Sequence, residues 1–125
     1  MAMTTDQLAG RQFDKVTFAR LVHAAKVADS KERAWLCLEA AHVVGQRHFK
    51  PHVQTHTRML GLAWRTRDWP EAAGQMLRLG LVPLGHLTGR LPLGNPGRST
   101  VNAFEPLPVR QELAELIAHA SQPLR

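Results

Sequence analysis

Apolar positions recur at helical spacing along most of this chain. Between Phe13 and Ala28, the residues Val16, Phe18, Ala19, Val22, Ala25 and Val27 fit one loose apolar face and predict a first helix. Asp29 and Ser30 follow as a turn, and either can cap the next segment. From Lys31 to Val44, the stripe Ala34, Trp35, Leu38, Ala41 and Val44 predicts a second helix, with Gly45 as its stop. Pro51 suits the start of a third helix, whose inward stripe reads Val53, His56, Leu60, Ala63 and Trp64. Asp68-Trp69-Pro70 is another capped turn, and it opens a fourth helix from Pro70 to about Leu81.

The pattern then changes. Pro83, Gly85, Gly89, Pro92, Gly94, Pro96, Gly97, Pro106 and Pro108 argue against a long helix, while Leu84, Leu87, Leu91, Leu93, Val101, Phe104 and Leu107 keep the stretch apolar. Such a segment is expected to be an ordered loop laid over the helices. A closing helix follows over 109–120, with Leu113, Leu116 and Ile117 inward. The expected layout is a flexible N-terminus over 1–12 and a single helical domain over 13–120. That domain divides into a four-helix core (13–81), an ordered loop (82–108) and the closing helix (109–120). The Asp-containing turns around Asp29 and Asp68, each followed by a helix opening on small residues, have spacing close to tetratricopeptide hairpins. The fold class read from the sequence is therefore all-α: two tetratricopeptide-like hairpins in a compact bundle, a Pro/Gly-rich loop and a C-terminal helix.

Composition narrows the chemistry. The chain has 125 residues, 44% hydrophobic and 21% charged, which is globular and sufficient for one domain. The net charge of +6 is spread over scattered arginines, so nucleic-acid binding is not the favoured reading. A single cysteine, Cys37, excludes a disulfide framework and a cysteine-based zinc knuckle. No apolar run is long enough to span a bilayer, and the first residues lack a secretory pattern, so a cytoplasmic protein is expected.

The histidines are unevenly placed. His42, His48, His52 and His56 fall within fifteen residues. His52 and His56 are four apart and share a helix face. A hairpin turning near 47–50 brings His42 level with His56, so three imidazoles can converge between two helices. Neutral imidazole suits zinc, copper, nickel or iron. Glu39 precedes His42 by three residues and is a candidate fourth or orienting ligand. The competing reading makes these histidines ordinary hydrogen-bonded residues of a helix interface. His52 is followed by Val53, not Glu, so the zinc helix of a protease is excluded.

The loop Gly89-Arg90-Leu91-Pro92-Leu93-Gly94-Asn95-Pro96-Gly97-Arg98 fails the phosphate-loop pattern, because the first glycine and the lysine are missing. Arg90 and Arg98 remain candidates for holding an anion with the loop amides. No nucleophile–base pair is legible, so no catalytic residue is assigned.

Ala34-Trp35, Leu38-Glu39-Ala40-Ala41-His42, Gly45-Gln46, His52, His56 and Met59-Leu60 together resemble an uncharacterised bacterial family, the domain of unknown function numbered 3703. Gly74-Gln75, Thr88-Gly89-Arg90, Pro92, Gly94-Asn95, Gly97-Arg98, Ala103-Phe104, Pro106 and Pro108 extend the resemblance, which covers about 13–117. Pro96 departs from it, standing where the family usually has Thr. The resemblance implies a small, mostly helical bacterial protein and no particular activity. Within it, His42, His52 and His56 are the histidines that match.

The leading expectation is a non-enzymatic protein that binds or senses a transition metal through His42, His52 and His56, with Glu39. The alternative is an interaction module that takes a protein or peptide partner along Arg58, Arg65 and the tryptophans. A small metal-dependent enzyme is a third reading, since three His ligands leave a position open. A homodimer face on the closing helix or loop stays open.

Overall fold

The computed structural model describes residues 13–101 and 105–123. Residues 1–12, expected to form a flexible N-terminus, lie outside the described residues, as does Phe104. The described chain is all-α, with five helices and no strand: α1 (Lys15–Lys26), α2 (Lys31–Gly45), α3 (Phe49–Arg65), α4 (Trp69–Thr88) and α5 (Gln111–Ala120). Three of the starts are fixed by short polar side chains that accept from first-turn N–H groups. Asp14 accepts from Thr17, Ser30 from Arg33 and Asp68 from Glu71. Pro51 sits in the first turn of α3, where its missing N–H has no helical partner to lose.

Short turns return the chain alongside itself, so α1 pairs with α2 and α3 with α4. α2 lies between two cores. On one side Ala40, Ala41 and Val43 pack with Phe18, Leu21 and Val22 of α1 and with Leu113, Ala114 and Ile117 of α5. On the other, Ala34, Trp35 and Leu38 pack with Met59, Leu62 and Ala63 of α3 and Ala72 of α4. A helix covered from two sides has to be apolar nearly all round. The polar exceptions buried on α2, Glu39 and His42, therefore need partners of their own.

Two expectations are corrected. The fourth helix does not stop at Leu81. It runs through Pro83 to Thr88 and ends on Gly89, whose φ of 71° gives a left-handed cap. Pro83 is exposed, so the backbone bond it cannot make falls on the solvent side of α4. Trp64 is not part of the inward stripe of α3. It is 61% exposed and packs edge-on against Trp69, with ring centroids 5.1 Å apart.

The segment between α4 and α5 is pinned to the helices by buried polar side chains. Gln46 donates to the Pro92 carbonyl and accepts from the Gly94 N–H. Glu71 accepts from the Ser99 N–H and from Arg98. Gln75 donates to the Gly97 carbonyl, and Arg78 to that of Val101. Gly94 to Gly97 is consequently buried, which is unusual for a loop and possible only because its backbone groups are bonded.

Candidate metal centre

The turn between α2 and α3 brings His42, near the end of α2, against His52 and His56 in the first half of α3. All three side chains are buried, at 1%, 4% and 2% exposure. Their Nε2 atoms form a triangle with all three edges at 3.2 Å. An ion bound at about 2.0–2.1 Å by three tetrahedrally disposed imidazoles requires edges of about this length.

The opposite nitrogens settle two of the three tautomers. His42 Nδ1 is 2.7 Å from the Asn95 carbonyl, which can only accept, so Nδ1 carries the proton. His56 Nδ1 is 2.7 Å from Gln75 Oε1, and the Gln75 amide nitrogen is committed to the Gly97 carbonyl 2.9 Å away. That commitment orients the amide, so His56 Nδ1 must also donate. His52 Nδ1 lies 2.9 Å from Nε2 of His86, which is flanked by the edge of Phe49. In neutral His42 and His56, both Nε2 atoms then present lone pairs to each other at 3.2 Å, with no proton to share. A cation at the centre of the triangle relieves this contact, whereas an Nε2–H of His52, 3.2 Å from each ring, satisfies only one of the two acceptors well.

A proton is a poor candidate for that cation. Burial, and then the His56 and His52 rings, hold His42 well below the ordinary imidazole range. Burial and the neighbouring His56 and His86 rings lower His52 to about 3. Burial lowers His56 to about 4, although the Gln75 bond pulls the other way. Three neutral imidazoles, each with its second nitrogen held, have the outer arrangement of metal-ligating histidines.

Gly97 closes one side of His42. Its φ is +88°, and a Cβ there would stand 2.8 Å from Cδ2 and 2.9 Å from Cγ of that ring. On another side the three rings line a cavity of about 480 Å³, bounded mainly by apolar residues of α4 and by Leu91 and Pro92.

The model of one family, described as a protein of unknown function (DUF3703), matches residues 13–117. The chain belongs to this family. Among curated proteins and among solved structures, none matches it. In this DUF3703 chain, Gln75, Asn95 and Gly97, which carried part of the resemblance, stand directly around the three rings.

Other candidates fall elsewhere. Glu39 is not brought to the histidines: it is paired with Arg98 at 3.3 Å and with Arg110. Burial pushes its carboxyl up, against the pull of Arg110 and Arg98. Arg98 also bonds Glu71 and lies 3.8 Å over the Trp35 ring. Arg90 is exposed and lines the histidine cavity, while Arg98 lines a separate pocket with Trp35 and Glu39. Arg58 and Arg65 line a separate groove with Lys26. His86, Gln75 and Asn95 carry no local signal that points to the site. His86 lies beyond the expected end of the fourth helix, and Asn95 is 53 residues from its partner. Among the described residues, no helix is long and apolar enough to cross a membrane.

Proposed function

We propose that this protein binds one transition metal ion through Nε2 of His42, His52 and His56. The observation that carries the reading is the pair of lone pairs, on His42 and His56, held face to face at 3.2 Å while both Nδ1 protons are committed elsewhere. A cluster held by hydrogen bonds alone has to satisfy both acceptors from the single Nε2 of His52, whereas one ion satisfies all three nitrogens. Three imidazoles favour zinc, copper, nickel or iron over magnesium or calcium, and the tripod suits the tetrahedral preference of zinc. Arg98 and Arg110 hold Glu39, so the ligand set is three nitrogens rather than three nitrogens and a carboxylate.

The test is elemental analysis of tag-free protein grown with zinc, copper, nickel and iron, and again after dialysis against each ion. About one ion per chain is expected, and His52→Ala should lose it. Sub-stoichiometric metal under every condition would sink the proposal. Full retention by His52→Ala would remove that residue from the ligand set.

A further inference from the structure

We infer that the fourth ligand of the bound ion is a small organic carboxylate with an apolar body, taken into the cavity beside the three histidines. This rests on the metal reading above and adds the class of molecule the site receives.

Charge comes first. A divalent ion on three neutral imidazoles leaves its full charge in a buried place. Among the described residues, no Asp or Glu lines the cavity. The nearby acids are engaged elsewhere: Glu39 with Arg98 and Arg110, Glu71 with Arg98 and Ser99. The cavity contains two further cations, Arg78 and Arg90. Arg78 is buried, donates to the Val101 carbonyl, and acts electrostatically on both His42 and His56. Among the described residues it pairs with no carboxylate. A buried metal and a buried guanidinium on one wall call for an anion, and among the described residues the carboxylate that acts on Arg78 and His56, Glu71, is already bonded to Arg98 and the Ser99 N–H and does not line the cavity.

Shape and lining give the rest. The cavity, about 480 Å³, is the size of a small-molecule site. Away from the ion, its walls are Leu81, Val82, Leu84, Leu91 and Pro92. Apolar walls of this kind favour a hydrocarbon or aromatic body and disfavour phosphate, whose several charged oxygens would lie against them.

The experiment uses the full chain loaded with cobalt(II), whose visible bands report its coordination. Acetate, benzoate and inorganic phosphate are titrated in turn. Both carboxylates should shift the bands saturably, with benzoate binding at least about tenfold tighter than acetate because its ring buries apolar surface. Arg78→Met should weaken both about tenfold without changing cobalt stoichiometry. Because Arg78 is buried, Leu84→Ala at a half-exposed wall position provides a second check. It should weaken benzoate about threefold and leave acetate unchanged. If cobalt binds and no carboxylate moves its bands, the inference falls and the metal reading stands. Equal affinity for acetate and benzoate, or a response to phosphate alone, also overturns it. Failure to bind cobalt, zinc, copper, nickel and iron alike removes both.

Discussion

At the scale of single residues, the centre depends on groups that never touch the ion. Gln75 is the clearest case. Its amide is oriented by the Gly97 carbonyl at 2.9 Å and accepts the His56 Nδ1 proton at 2.7 Å. In Gln75→Leu that proton loses its acceptor, and the ring is free to adopt the other tautomer or turn away. Zinc affinity, measured by competition with a chromophoric chelator, should fall about 10- to 100-fold. An unchanged affinity would show that the tautomer is not set there. Gly97→Ala is expected to be more damaging. The added methyl would meet His42 Cδ2 at 2.8 Å in a backbone conformation that L residues rarely adopt. Strain of roughly 1–3 kcal/mol and displacement of one ligand both follow, so lower thermal stability and loss of stoichiometric zinc should appear together.

At the scale of elements, local signals were legible and long-range ones were not. Ser30 and Asp68 marked helix starts because capping is a matter of three residues. His42, His52 and His56 could be grouped from one helical turn and one tight hairpin, both short-range features. Glu39 lies only three residues from His42, but its partners are 59 and 71 residues away, and they decide where its charge goes. The length of α4 was obscured by Pro83, because a proline reads as a stop unless its exposure is known. That hid His86 and the far wall of the cavity. The pairing of Glu39 also makes a prediction. Glu39→Gln should leave zinc stoichiometry at the wild-type level and cost roughly 1–3 kcal/mol in denaturant unfolding, because two arginines lose a charged partner from a buried position. Loss of zinc with no loss of stability would reverse the assignment and make Glu39 a ligand.

For the whole molecule, the same histidines set how the fold responds to acid. In the unfolded chain each takes up a proton near pH 6.5, whereas in the fold burial keeps them neutral, His56 until about pH 4 and His52 until about pH 3. Across that window the unfolded state binds more protons, so stability falls as pH falls. Glu39 acts in the opposite sense, because its raised carboxyl keeps a proton in the fold that the unfolded chain gives up. With His42 also held neutral, three histidines oppose one glutamate, and the net dependence keeps the histidine sign. Each histidine protonated in the unfolded chain but neutral in the fold contributes up to about 1.4 kcal/mol per pH unit to that decline. A domain holding only about 5–15 kcal/mol cannot sustain that for long. Metal-free protein should therefore unfold in mild acid, and denaturant titrations at pH 7.5, 6.5 and 5.5 in the presence of chelator would show the decline. Saturating zinc should raise stability at pH 7.5, because the ion binds the fold and not the open chain. It should also steepen the acid transition, since each ligand must be released before it can be protonated. Replacing both His52 and His56 by Gln should flatten the metal-free slope and abolish the zinc increment. A slope that survives this replacement would place the acid sensitivity outside the centre.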